Sequence, residues 1–474
     1  MQREEITELS ALQLADLIRK KDLSPLELLQ CYISRIEKYA ESLGCFAYID
    51  LEGALAKARL QTEIIGKTKD RSSLPPFFGI PTAIKDLYAV EGMPTGYGNA
   101  LLQSRKQVAT YSEEITKRLE AAGFIIIGKT ATSEFGTLPY TESPGLPPCR
   151  NPWNLEHTAG GSSGGAAAAV AAGLLPLAPG SDGGGSIRGP AFCCGIVGLK
   201  PSRGRISNAP VGEYPGGIAT HGCLTRTVAD SAALLDILSG YVVGDPYWLP
   251  NPPTPFLDSI SQPPSSLKIA FTTSVLPSTT THPSVQQEVE SIARILEGMG
   301  HQIIPVSPDF TPLVEPFRLI WQSTLAALQI SPSILSPMNQ WLLANAPDLG
   351  TYLRALAQMH QISRQILSFF QEFDILLLPT YLSPPIKIGA WAEKPPEEIL
   401  SEIIRWINPC PPFNATGQPA ISLPTGFTTD GLPLGIQLVA KPAQDSLLLQ
   451  LAHQLEMSLP PRMTTLPPFL SSPP

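Results

Sequence analysis

The chain has 474 residues and a formal charge of −8, from 33 Lys and Arg against 41 Asp and Glu, and no basic run that could neutralise a row of phosphates, which argues against nucleic acid as a direct ligand. Hydrophobic residues at 43% supply enough core to exclude a disordered chain. Seven cysteines without a Cys-x-x-Cys pair suggest neither a disulfide framework nor a zinc site, and 50 Pro with 38 Gly predict many stiff loops.

The first residues, MQREEITELS, are charged and lack the apolar core of a signal peptide, so the expected compartment is the cytoplasm. Apolar residues at three-to-four spacing then predict amphipathic helices at Leu12 to Lys20 and Pro25 to Tyr39, the second opened by a Ser24-Pro25 cap. A short strand follows at Thr82 to Ile84, a helix at Ser112 to Ala122 and a buried strand at Phe124 to Ile127. From Thr158 to Ser181 no charge occurs, a stretch long enough to cross a bilayer. Its Ala and Gly content and Pro176 favour instead an Ala-rich core helix and a buried strand at Leu174 to Pro179.

The alternation resumes with helices at Val228 to Ser239 and Ser284 to Met299, and strands at Leu267 to Thr272 and Gln302 to Val306. Three more buried strands are expected at Phe373 to Leu378, Ala420 to Leu423 and Leu434 to Val439. Strands separated by helices imply an α/β fold with a large mixed sheet covered by helices on both faces. The proline-rich stretch 241–264 reads as a surface excursion rather than a boundary. The expectation is a single domain over residues 1–474, with its core at about 10–457 and a helical cap at 312–369 over one end of the sheet.

None of the six histidines lies in a His-Glu-x-x-His context. Gly160 to Gly164 fits Gly-x-Ser-x-Gly, but no strand precedes it as a nucleophile elbow requires. No Lys-Ser or Lys-Thr follows either glycine run, so a phosphate-binding P-loop is excluded. Two strings remain, Gly160-Gly161-Ser162-Ser163-Gly164-Gly165 and Gly183-Gly184-Gly185-Ser186-Ile187-Arg188. Each sets a hydroxyl beside backbone freed by glycine, and clustered amides aimed at one oxygen make an oxyanion hole. Such strings are often flexible linkers, yet a pair of linkers enclosing a buried helix and strand makes little physical sense.

Together with Phe78 to Asp86, Arg150 to Asn154, Gly195 to Arg205 and Asn414 to Ala420, these segments resemble the amidase signature family of serine hydrolases over nearly the whole chain. They look most like its free-standing amidases, including those acting on 6-aminohexanoate oligomers and cyclic dimers. The resemblance implies a Ser-cisSer-Lys triad on an α/β fold: Ser186 as nucleophile, Ser162 as bridging serine after a cis peptide from Gly161, and Lys85 as base. It further implies that the amides of Gly183, Gly184, Gly185 and Ser186 stabilise the oxyanion, and that neither metal nor cofactor is needed.

Lys85 must then be largely neutral, its pKa brought from ~10.4 to about 7–8 by burial, whereas an isolated Ile-Lys-Asp would be a surface lysine paired with Asp86. Asp182 and Arg188 are expected to brace the nucleophile loop as an ion pair, Ser163 to cap the Ala-rich helix, and Cys193-Cys194 to fill space. Substrate surfaces are expected in Thr132 to Trp153, where Pro144 to Cys149 departs from the family, and in Pro312 to about Asn345. Phe317, Ile320, Trp321 and Trp341 there favour an uncharged or aromatic acyl group. The partner is a small-molecule amide, with no membrane and room for a homodimer. The alternative function is the glutaminase component of a tRNA-dependent glutamyl/aspartyl amidotransferase, which shares the triad.

Overall fold

Ser24 starts the long N-terminal helix: its side chain accepts from the Glu27 amide while the Glu27 carboxylate takes the Ser24 N–H, and the helix runs Pro25–Leu43 until Gly44 turns left-handed. Ser10 and Gln13 make the same reciprocal cap for Ala11–Lys20. A computed structural model describes residues 3–278, 280–460 and 466–467 of the chain.

Thirteen strands are present among these residues: β1 Phe46–Ile49, β2 Pro81–Lys85, β3 Ile125–Thr130, β4 Arg150–Asn151, β5 Asn154–Thr158, β6 Leu177–Asp182, β7 Val197–Lys200, β8 Thr220–Thr225, β9 Lys268–Phe271, β10 Gln302–Pro305, β11 Ile375–Pro379, β12 Ala420–Phe427 and β13 Pro433–Ala440. Eight of them form one mixed sheet in the order β10-β9-β11-β13-β12-β7-β8-β6. Its β10, β9 and β11 are parallel, and every later pairing is antiparallel.

Strand period sorts the side chains into two layers. Ile375 and Leu377 point into the core shared with helices Val228–Leu238, Pro283–Gly298 and Asp445–Glu456. Leu376 and Leu378 point to the opposite core, with Thr311–Ala327 and Leu349–Phe369. Helices therefore cover both faces, as the alternation predicts.

The first strands depart from expectation. β2 and β3 do not extend the main sheet; with β1 they form a separate three-stranded sheet, β1-β3-β2. An apolar run tells that a strand is buried but not which neighbour it pairs with. The small sheet is held to the edge of the large one where the Thr82 hydroxyl donates to the Leu177 carbonyl at 3.1 Å. The region expected as one helical cap is three helices, Thr311–Ala327, Pro337–Ala344 and Leu349–Phe369, and the chain adds a further helix at Pro396–Ile407 that the pattern does not predict.

The uncharged stretch resolves into the fully buried helix Gly164–Ala171 and strand β6, three residues later than predicted because Gly173, at φ 65°, turns the chain first. Among the described residues no helix is long and apolar enough to cross a membrane. All seven cysteines are buried and free, which suits Cys193 and Cys194 as filler.

The Ala-rich helix lies so close to β3 that a Cβ on Gly165 would stand 2.4 Å from the Ala131 nitrogen and 2.5 Å from the Cys45 carbonyl oxygen. Both neighbours are backbone and cannot swing away. Gly165→Ala should therefore destabilise the fold by about 1–3 kcal/mol or more, read as a lower denaturant midpoint in equilibrium unfolding.

Candidate active site

Lys85 ends β2 inside the protein, with no exposed surface. It does not pair with Asp86, which instead meets Lys129 at 3.1 Å, both of them buried. The Lys85 Nζ lies 2.7 Å from Ser162 Oγ, 2.9 Å from Ser163 Oγ and 3.1 Å from Ser181 Oγ. Three hydroxyls and no carboxylate is a cradle that solvates an amine without holding it charged. Burial lowers the Lys85 pKa from its ordinary value to about 7, against a partial counter-pull from Asp182.

Counting hydrogens gives the neutral cradle a definite polarity. Ser163 Oγ accepts from Lys85 and from the Ser181 amide at 3.4 Å, and donates to the Ser181 carbonyl at 3.2 Å. A neutral amine has two hydrogens and one lone pair. With those hydrogens on Ser163 and Ser181, the lone pair falls to the O–H of Ser162. Ser163 is thus a ligand of the lysine; its side chain makes no cap for the helix that begins at Gly164, since the hydroxyl is already committed.

The Gly161–Ser162 peptide is cis. The backbone of the next residue holds the two serine segments together, the Ser163 N–H donating to the Ser186 carbonyl at 3.2 Å. Ser186 Oγ has no hydrogen-bond partner among the described residues, so Lys85 and Ser162 are in contact while Ser186 stands apart. All of Ser162, Ser181 and Ser186 open on one cavity of about 150 Å³.

The loop carrying Ser186 is folded around Asp182. Its carboxylate accepts from the Gly185 amide at 2.7 Å and the Ile187 amide at 3.2 Å, and from Arg188 at two points, each 2.9 Å. Both charged side chains are wholly buried. Burial pushes the Asp182 carboxyl up, but Arg188, Lys200 and Asn414 together hold it well below the usual carboxylate range. Asn414 in turn bridges Arg188, at 2.6 Å, to the Asp182 carboxylate and carbonyl and the Ile218 carbonyl, each at 2.9 Å.

This corrects one expectation: Gly185 cannot offer its N–H to an oxyanion, because Asp182 already takes it. The amides of Gly183, Gly184 and Ser186 have no acceptor among the described residues, and all three residues border the cavity.

His221, opposite Ser181 in the β6–β8 register, is a neighbour that no sequence motif signals. Burial, then the nearby Lys85, pushes its imidazole down to about 3. It makes no hydrogen bond to Ser162 or Ser186, and its ring stacks edge-on to Tyr88 at 4.5 Å.

The remaining cavity wall is apolar. Phe317 and Trp321 line it, as do Phe135 and Leu138 from the segment after β3. Ile320 and Trp341 do not: the first is buried in the core behind the wall, and the second donates to Glu397 at 2.7 Å. Nor does the unusual loop Pro144 to Cys149 reach the cavity, whereas Leu400 and Ile403 of the additional helix do. The one charged side chain in the wall, Arg318, is spent within its own helix on Glu315 at 2.7 Å and Gln322 at 2.6 Å.

Known proteins share this arrangement. The profile of the family described as Amidase matches residues 27–449. A provisionally named amidase of Synechocystis sp. is 49% identical over 95% of this chain and 88% of its own. The solved structure of 6-aminohexanoate cyclic dimer hydrolase complexed with substrate superposes with a TM-score of 0.91 at 29% identity, covering 98% and 99% of the two chains. The amidase-like component of the Glutamyl-tRNA(Gln) amidotransferase from Thermotoga maritima gives 0.77 at 26% identity, over 98% and 97%.

Because Asp182 is the only carboxylate paired with the buried Arg188 among the described residues, removing its charge strands a guanidinium. Asp182→Asn should cost about 3–5 kcal/mol, more than an Asp16→Asn change at the exposed Lys20–Asp16 pair, where about 0–1 kcal/mol is expected. Denaturant melts of the two variants compare them directly.

Proposed function

Since the chain belongs to the amidase signature family, whose members hydrolyse amide C–N bonds, we propose that it cleaves small carboxylic amides through Ser186, Ser162 and Lys85. One observation carries this reading: a fully buried lysine with a lowered pKa lies 2.7 Å from the hydroxyl of Ser162, beside a loop with three unpaired amides.

Ser186 Oγ attacks the amide carbonyl as its proton passes to Ser162, whose own proton passes to the lone pair of Lys85. The carbonyl oxygen becomes an oxyanion held by the amides of Gly183, Gly184 and Ser186; losing one such donor typically costs about 2.7–4 kcal/mol. The proton returns through Ser162 to the leaving nitrogen, the C–N bond breaks, and an acyl ester remains on Ser186. Water then attacks the ester, giving its proton back along the same relay. Both serine hydroxyls face the cavity, and a rotamer step of either is the motion that joins them. His221 is no rival base, being too weakly basic and out of hydrogen-bond reach of the serines.

The cavity favours a substrate without charge, since its one cation is already paired and no Asp or Glu lines it. Glutamine brings an α-ammonium group that needs such a carboxylate, so the wall supports a free-standing amidase over the amidotransferase glutaminase. Within an otherwise matched pair of amides, adding a charged group to the acyl chain should lower kcat/KM at least tenfold; a charged substrate preferred over its neutral twin would overturn this assignment.

The pH dependence tests the base. Protonated Lys85 cannot accept from Ser162, so kcat/KM should rise about tenfold per pH unit up to about 7 and level above it. Lys85→Ala should lose several powers of ten and this slope, and Ser186→Ala should abolish labelling by a fluorophosphonate probe. A wild-type profile flat down to about pH 5, or a labelled Ser186→Ala protein, would defeat the mechanism.

A further inference from the structure

Glu134 has no part in that chemistry, yet it is a carboxylate only 4% exposed and among the described residues no Lys, Arg or His is paired with it. Its partners are all neutral donors drawn from distant parts of the chain. Oε1 accepts from Asn99 Nδ2 at 2.7 Å; Oε2 accepts from the Ser336 amide at 3.0 Å, from the Ser336 hydroxyl and from Asn339 Nδ2 at 2.6 Å. Two further bonds close the knot, Asn99 Nδ2 to the Ile334 carbonyl and Thr137 Oγ1 to Asn339 Oδ1, each 2.7 Å.

What the knot joins gives it meaning. On one side is the segment after β3, where Phe135 and Gly136 both take positive φ, 51° and 71°, and where Phe135 to Leu138 line the cavity. On the other is helix Pro337–Ala344, whose Met338 and Leu342 pack behind Leu138, Leu400 and Ile403, three more residues of the cavity wall. The same segment reaches the proposed relay, since the Ser133 N–H donates to the Ser162 carbonyl at 3.4 Å. A buried carboxylate left without a cation is costly unless hydrogen bonds replace water, and here they do so only while both walls are in place.

We propose that Glu134 is a positioning residue that fastens two walls of the acyl-binding cavity together, and so sets which acyl groups bind without entering the reaction. The proposal rests on the cavity being the substrate site.

Glu134→Gln is nearly isosteric but fails in a specific way. Each carboxylate oxygen is met by an amide NH2, so either orientation of the new side chain sets NH2 against NH2. Acetamide and 4-phenylbutyramide both release ammonia, and the second needs the wall. In Glu134→Gln the KM for phenylbutyramide should rise at least tenfold with kcat within threefold, while kcat/KM for acetamide falls less than threefold. Adding Asn339→Asp supplies an acceptor for the new NH2 and still accepts from Thr137, and should bring KM back within threefold of wild type. Ser336→Ala, which removes a single donor, should raise the same KM at least threefold and decides the matter if Glu134→Gln does not fold. Equal losses on both amides, or an unmoved KM in the variants that fold, overturns the latch. Wild-type protein that releases ammonia from neither amide fells the substrate-site reading instead, and the latch with it.

Discussion

A lysine without water is the constraint around which this structure is arranged. Holding the Lys85 ammonium at a pKa of about 7 corresponds to roughly 5 kcal/mol of bias toward the neutral amine. That bias survives only if nothing nearby restores the charge. The cradle is therefore three hydroxyls, the adjacent Asp86 is drawn off to Lys129, and Asp182 is occupied by Arg188. Each ion pair around the site keeps a carboxylate away from Lys85. The small sheet that carries β2 and the large sheet that carries β6 meet here because the cradle needs a residue from each.

Much of this is legible in the chain. Ser24-Pro25 announces a helix start, and strands rich in Ile, Leu and Val such as Ile375–Pro379 declare their burial. The glycine strings around Ser162 and Ser186 and the Ile84-Lys85-Asp86 segment point to the three residues of the proposed triad. What stays hidden depends on strand register and on loops closing through space. Ser181 faces Lys85 because β6 pairs with β8 at one particular offset, which also sets His221 beside it. A serine before a helix usually caps it, and only the position of Lys85 shows that the Ser163 hydroxyl is used elsewhere. Nothing in a run of three glycines tells that Asp182 folds back three residues to take the Gly185 amide out of the free donors. Glu134 is invisible for the same reason: its donors lie at 99, 336 and 339.

The cavity divides its work between a floor and walls. The floor consists of backbone amides and hydroxyls from β6, the loop after it and the Ser162 segment, tied by short-range bonds and by Asn414. The walls come from Phe135 to Leu138 and from helices Thr311–Ala327 and Pro396–Ile407, apolar elements that touch the floor by packing alone, as Phe317 does over Gly184, where an added Cβ would meet its ring at 3.7 Å. Directional bonding fixes where a carbonyl must sit, and shape decides what may be attached to it.

The enclosure of Asp182 and Arg188, neither with any exposed side-chain surface, bears on how the protein responds to brine. Mobile ions screen charges over about 8 Å at physiological strength, but only through water, and no water path reaches this pair. Concentrated salt leaves the shape of the nucleophile loop alone while weakening surface contacts such as Lys20–Asp16. Salting-out anions meanwhile favour the transfer of apolar groups out of solution. Their action on this protein is thus felt at the cavity wall, as tighter capture of greasy substrates, and not at the loop that carries Ser186.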